Sequence, residues 1–557
     1  MSEKKKVLLI GLDGATFDVI NPLIKEGKLK NIANLIKNGS HCILNSTIPA
    51  VSPVAWTSMI SGVNPGKHNI YDFVSKTIGE YNFSLSKGGK RGVKTIWSLL
   101  SERGYNVGSY NVTMSYPPEK VNGFVISGID SPSIESEFAY PPEIIKEIKE
   151  VVGDYHIVNP YPISFKDMNV KGIFQLIEER KNISLHLIKK YSPDFLMTAF
   201  IELDGSQHFY WKYFNTTHPQ YNEKEARKYK NIISNAYEKV DEAIGEIIDA
   251  FGKDGVIAIA SDHGFGPLHK VFVLSQWLEK EGYLKSNRPK LPPLKRFIMK
   301  TKFQIKQFLK KILPTSLNYT IVDKLKMKKR FNFKPYIDTI DWNNTIAFCD
   351  GTCGNIYINL KGREQNGIVD PADYEKVCDE IIQKLKAIKD PENNNYIVKE
   401  CYKKDEIFEG KYSESAPDIT IVENRTYLVA GNITRLPETK FDNGCEHNLF
   451  LTDHNWSGNH LKNGIFIMSG DGIKHDNLTD EKNIADVTPT ILYAINELIP
   501  NEMSGKVAKE FFENEKLERC PPQFIEEDIY VKENSIDFSS QEEDKIKENL
   551  KDLGYME

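Results

Sequence analysis

Six short apolar runs recur along the chain, each followed by a stretch of helical character: "KVLLIGLDG" (6–14), "YNVGSYNVT" (105–113), "GFVISGID" (123–130), "DFLMTAFIELDG" (194–205), "GVIAIASDHG" (255–264) and "NGIFIMSGDG" (463–472). Runs of four to eight apolar residues closed by turn formers read as strands buried on both faces, and strands that alternate with helices build a mostly parallel sheet. The pattern therefore predicts an α/β fold around a mostly parallel central sheet. Ligands of such sheets sit at the carboxyl ends of the strands. Three of these ends carry an acid, Asp13, Asp204 and Asp262, and the last is followed at once by His263 and Gly264. Charge at the end of a buried strand is costly unless something compensates it, so the acid and imidazole together point to a site.

The rhythm divides the 557 residues into four parts. Residues 1–274 form the first part of a catalytic α/β core, 275–414 an inserted cap, 415–510 the second part of the core, and 511–557 a charged tail that wraps the surface. Within the insertion, residues 285–330 hold 15 Lys or Arg and one acid, Asp323, interleaved with apolar residues at helical spacing. We read this segment as a solvated helical face of the cap, with peripheral contact to an anionic membrane as the alternative. The net charge of −5 carries no nucleic-acid signal. Seven cysteines, scattered and without CxxC spacing, read as reduced thiols. The first apolar run, Val7 to Ile10, is too short for a signal segment, and no run approaches the 18 or so apolar residues that span a bilayer, so the expected location is cytoplasmic.

Around the three strand-end acids lie further donors: His208 in "LDGSQH", His263, and His460 in "WSGNHLKNGIFIMSG". Carboxylate and neutral imidazole suit Zn²⁺ or Mn²⁺, and six such groups would serve two ions. Asp204 and His208, four residues apart, share one face of a helical turn. Asp262 and His263 would point apart in a strand, but a turn at Gly264 would let both reach one centre.

The stretch "SPVAWTSMISG" (52–62) reads as a helix with Ser52 at the N-cap, Pro53 at the first helical position and Gly62 past the end. A hydroxyl there faces unpaired backbone N–H groups that also suit a phosphate, and contact with a metal ion would make it a nucleophile.

In their order, "LLIGLDG", "SPVAWTSMISGVNPGKHNI", "LDGSQH", "SDHGFG" and "GNHLKNGIFIMSG" resemble the alkaline phosphatase superfamily, specifically the type I phosphodiesterase/nucleotide pyrophosphatase branch with its phosphohydrolase and phosphomutase relatives. The resemblance covers roughly 5–270 and 415–500. It implies an alkaline-phosphatase-like α/β/α sandwich and two divalent ions, Zn²⁺ first and Mn²⁺ second. One would be held by Asp204, His208 and His460, the other by Asp13, Asp262, His263 and Ser52. It further implies attack by Ser52 on a small phosphoester, whether nucleotide, sugar or lipid-linked, and a phosphoseryl intermediate. Adjacent Asp262 and His263 would then serve the same ion.

The register on the family's Gly-x-x-Pro-x-x-His-Gly-Ile stretch selects Ser52 over nearby Thr47. Three departures accompany the likeness: Phe73 falls near the place of a phosphate-binding Asn, Asn69 replaces the Gly after His68, and Asn459 precedes His460, whose neighbours His447 and His454 compete for its role. A sulfatase pattern would need Pro and Arg where Val54 and Trp56 stand. Two alternatives stay open: phosphoryl transfer to a second hydroxyl, as in a phosphomutase, and a non-catalytic metal-bearing protein that binds anionic lipid or glycan.

Overall fold

The computed structural model of the chain describes residues 4–163, 165–287, 336–431, 449–451, 456–532 and 539–553. Most of the basic segment 285–330, together with His447 and His454, lies outside them.

All six apolar runs enter one ten-stranded sheet. Its order is Asn477–Leu478, Gly39–Asn45, Asn463–Ser469, Val256–Ala260, Val7–Leu12, Phe195–Phe200, Val107–Val112, Gly123–Ser127 and Ala139–Tyr140, with Lys482–Asn483 also paired to Gly39–Asn45. The first strand, Val7–Leu12, runs parallel to both Phe195–Phe200 and Val256–Ala260. Their carboxyl ends therefore open on the same edge, where Asp13, Asp204 and Asp262 follow. Asn463–Ser469 runs antiparallel to its two neighbours, which makes the sheet mixed but mostly parallel.

Period-two geometry sorts the first strand between two cores. Leu8, Ile10 and Leu12 pack with residues of the helices Lys166–Tyr191 and Ile232–Phe251, whereas Val7 and Leu9 join residues of Ser52–Ser61 and Val487–Ala494 on the opposite face. The result is an α/β/α sandwich in which each buried Leu or Ile contributes about 1.5–3 kcal/mol. No helix among the described residues is long and apolar enough to cross a membrane.

A separate four-stranded antiparallel sheet, in the order Ala347–Phe348, Asn355–Ile358, Ile419–Glu423, Val398–Lys403, packs against the helix Tyr374–Lys386. One joint between it and the sandwich is Asp72. Its buried carboxylate accepts from Thr352 N (3.1 Å), Thr352 Oγ1 (2.6 Å), Cys353 N (3.3 Å) and Phe73 N (2.6 Å). A side chain at Gly351, where φ is +92°, would come within 2.3 Å of Asp72 Oδ2, so only Gly fits beside it.

Burial lifts the Asp72 carboxyl to about 6, against the pull of those four donors. With a folded value above the unfolded one, its contribution to stability is full below pH 4 and is lost as pH rises through 6. Between pH 5 and 7.5 the wild type should accordingly lose about 1 kcal/mol relative to Asp72→Asn, a difference that urea titrations at the two pH values would measure.

At the far end of the chain, the helix Ser540–Leu553 sets Ile546 and Leu550 into a small core with Val51, Val54 and Ile201.

Candidate metal centre

Each expected donor reaches the open edge of the sheet by a different local device. Asp13 continues the first strand, its N–H donating to Phe200 O (3.0 Å). The strand Phe195–Phe200 passes directly into the helix Glu202–Phe214, which places Asp204 and His208 one turn apart on one face. Asp262 and His263 lie between Val256–Ala260 and the short strand Gly264–Pro267, and His460 arrives on Gly458–Leu461, antiparallel to that short strand. Gly264 acts by close approach, since an added Cβ would lie 2.0 Å from Asn463 O, and its backbone is outside the left-handed region.

The donors gather into two groups, Asp204 with His208 and His460, and Asp13 with Asp262 and His263; within each, the ligand atoms lie within 4.8 Å of one another. Ser52 adjoins the second group, its Oγ 3.2 Å from His263 Nε2. The rings of His263 and His460 stack at 3.7 Å, which brings the two groups side by side.

The hydrogen bonds decide how these groups are disposed. His208 Nδ1 donates to Gly458 O (3.0 Å), His460 Nδ1 to Ala50 O (3.2 Å) and His263 Nδ1 to Gly264 O (3.1 Å), because a carbonyl can only accept. In the neutral rings all three Nε2 lone pairs therefore face inward. His208 Nε2 lies 3.0 Å from His460 Nε2. Two acceptors cannot bond to each other, so that approach calls for an electrophile beside them. The carboxylates are prepared in the same way. Asp13 Oδ2 accepts from Trp56 Nε1 (3.2 Å) and Asp262 Oδ1 from Gly14 N (3.2 Å), while Asp13 Oδ1, Asp262 Oδ2 and both oxygens of Asp204 are buried without a properly oriented hydrogen-bond donor. A backbone carbonyl on the far nitrogen of each imidazole and a held second oxygen on two carboxylates form the outer support that metal ligands require.

The electrostatics agree. Among the described residues, no Lys or Arg pairs with Asp13, Asp204 or Asp262, all of which are at most 1% exposed. Burial, and then the charges of Asp262 and Asp204, hold the Asp13 carboxyl well above its usual range; burial pushes Asp262 up to about 7. Burial also lowers His208 to about 4 and His263 well below its usual value, which keeps both rings neutral and able to donate a lone pair. Three buried carboxylates without a cation cost several kcal/mol each, and divalent ions offset that cost. The donor set fits two such ions.

Ser52 is the first residue of its helix, not the cap. Val51, extended at φ −134° and ψ 138°, takes the cap position without a side-chain hydrogen bond, and Pro53 is second. The one-residue shift frees the Ser52 hydroxyl from capping and turns it toward His263. Gly62 closes the helix at φ 72°, as expected. Thr47 is set aside by its own bond, its hydroxyl donating to Pro49 O (2.7 Å). A second buried pair, Ser58 Oγ and His68 Nε2 at 2.9 Å, looks like a nucleophile with its base, but His68 Nδ1 accepts from Ile70 N (3.2 Å). His68 Nε2 therefore carries the proton and donates it to Ser58, so the pair is structural.

Trp56 was missed by sequence reasoning because "VAWTS" reads as ordinary helix interior. It is fully buried, and its indole N–H orients Asp13. Trp56→Phe keeps the ring packing and removes the donor; it should weaken metal affinity about 10- to 100-fold with little change in far-UV spectrum, as measured by competition with a chelating dye.

Beside the donors opens a cavity of about 460 Å³ whose walls include His208, His460, Phe73, Trp456, Tyr402 and Glu423. A family model described as type I phosphodiesterase / nucleotide pyrophosphatase matches residues 7–446. That span contains Asp13, Ser52, Asp204, His208, Asp262 and His263, with His460 beyond it. No curated protein matches the sequence. Among solved structures, phosphonoacetate hydrolase from Sinorhizobium meliloti 1021 with bound phosphonoformate superposes at a TM-score of 0.51 and 14% identity, over 88% of this chain and 95% of that one. Its phosphonoacetate complex gives 0.50 at 14% identity over the same shares. Human ectonucleotide pyrophosphatase / phosphodiesterase 5 gives 0.48 at 13% identity over 93% of this chain and 99% of that one. The superposition on the phosphonoacetate hydrolase supports the alkaline-phosphatase-like fold, and the family model takes in most of the chain, from the first strand of the sheet past Asp262 and His263. The chain belongs to the type I phosphodiesterase / nucleotide pyrophosphatase family.

Proposed function

We propose that the chain is a two-metal phosphohydrolase that cleaves a phosphodiester or pyrophosphate bond through Ser52. The observation that carries this reading is the convergence of three imidazole lone pairs and four unpartnered carboxylate oxygens beside one buried serine hydroxyl. Asp204, His208 and His460 would hold one ion, and Asp13, Asp262 and His263 with Ser52 the other; Zn²⁺ suits this mixture of imidazole and carboxylate best, and Mn²⁺ next. When bound, such ions supply a lower pKa for an attached hydroxyl and positive charge beside the phosphoryl oxygens.

The protein does the rest. The helix Ser52–Ser61 fixes Ser52 Oγ at the edge of the donor cluster, and the positive end of its dipole favours a phosphate beside it. Ser52 Oγ, having given up its proton, attacks phosphorus; the bond to the leaving oxygen breaks in line, and that oxygen takes a proton from solvent. Water then cleaves the Ser52 Oγ–phosphorus bond, releasing phosphate or a phosphomonoester and restoring the hydroxyl. Val51 and Val54, on either side of Ser52, pack in an apolar cluster with Ile201, Ile546 and Leu550.

The test is turnover of bis-p-nitrophenyl phosphate and p-nitrophenyl phosphate by protein loaded with Zn²⁺ or Mn²⁺, with metal content measured by mass spectrometry. Near two ions per chain and diester turnover are expected. Metal-loaded protein active on the monoester alone would defeat the diesterase reading.

A further inference from the structure

The cavity next to the donor groups carries information about what is esterified to the phosphorus. Glu423, the last residue of the strand Ile419–Glu423, lines it close enough to His460 and to Cys353 for its charge to be felt by both. Among the described residues no Lys or Arg pairs with it, and the one side chain that donates to it is Asn459, through Nδ2 at 3.4 Å. Tyr402, Phe73 and Trp456 give the same cavity phenol and aromatic surface. The basic residues Lys399, Arg425 and Lys462 also border it, but all three are exposed, where water and salt screen them, and Arg425 is engaged by Asp18.

Burial raises the Glu423 carboxyl to about 7; above that pH it is a carboxylate, which only accepts hydrogen bonds and repels a second phosphate brought against it. The group that fits must bring donors to Glu423 and an apolar face to the rings. We propose that the organic group esterified to phosphorus is a hydroxyl-rich one, a sugar or polyol, that hydrogen-bonds to Glu423. This rests on the phosphohydrolase reading above, and it departs from a nucleoside polyphosphate, whose further phosphates would meet the carboxylate.

The experiment is calorimetric binding at pH 8.5, where Glu423 is ionised, of myo-inositol 1-phosphate and of methyl phosphate to the metal-loaded chain, for wild type, Glu423→Gln and Glu423→Ala, with bis-p-nitrophenyl phosphate turnover of the wild type in parallel. The wild type should bind the polyol phosphate about 10- to 100-fold more tightly than methyl phosphate, the worth of one or two hydrogen bonds to a charged acceptor. Glu423→Ala should abolish the preference, and Glu423→Gln, which keeps one acceptor, should retain part of it. Equal binding of the two ligands by the wild type, or a preference that survives in Glu423→Ala, overturns the proposal. Tighter binding of a nucleoside diphosphate than of the polyol phosphate overturns it in favour of the rim cations. Loss of bis-p-nitrophenyl phosphate turnover alone, with the preference present and dependent on Glu423, removes the hydrolase reading and leaves the ligand assignment standing.

Discussion

Ser52→Ala should lower diester turnover by about 10³-fold or more while leaving two ions bound and the melting temperature unchanged. The substitution removes a single oxygen from a fully buried side chain whose hydroxyl touches His263 Nε2 and caps nothing. No packing is lost, so a fall in rate would report chemistry and not folding. Parallel assays of turnover, metal content and thermal unfolding on the same preparation make the separation. A variant that keeps more than a tenth of wild-type activity would exclude Ser52 as nucleophile.

The second large effect is expected from the metals. Chelation should abolish turnover and lower the melting temperature by several degrees, since an ion present at about 100 times its dissociation constant stabilises the fold by about 2.7 kcal/mol. Asp13→Asn should reduce metal content from two ions to one and be less stable than the wild type when both are loaded. With the metal stripped, the order should reverse. Asp13 is fully buried with Oδ1 lacking a hydrogen-bond donor, and burial with the charges of Asp262 and Asp204 holds its carboxyl well above the usual range, so an amide there relieves repulsion in the empty site. Thermal unfolding of both proteins with and without chelator tests this, and a stripped wild type more stable than the stripped variant would contradict it.

How far the site was legible in the sequence varies residue by residue. Asp13, Asp204 and Asp262 announced themselves because each ends a strongly apolar run, and a charge in that place has few bland explanations. The four-residue spacing of Asp204 and His208 survived into the structure because the strand turns straight into a helix. His460 was harder to read, since its strand is only Gly458–Leu461 and its position depends on pairing with Gly264–Pro267, almost 200 residues earlier. The strand Gly39–Asn45 went unseen: Ser40, His41 and Asn45 interrupt its apolar residues, and it is buried by Asn463–Ser469 alongside it and not by its own composition. Trp56 and the carbonyls of Ala50, Gly264 and Gly458 were not legible at all. Their role is to orient another residue's side chain, and nothing in a linear pattern marks which indole or which carbonyl lies opposite an Asp or a His.

The docking of Ile546 and Leu550 against Val51 and Val54 also has a meaning in time. Synthesis proceeds at about 5–20 residues per second, so Val51 and Val54 beside the nucleophile emerge about 25–100 s before the helix that packs on them. Across that interval the remaining strand ends and metal donors emerge in turn, and all six donors precede the helix that packs on Val51 and Val54. Maturation of the centre is thus tied to the arrival of the helix Ser540–Leu553, and a metal ion captured earlier would enter a site whose neighbouring apolar cluster is still open.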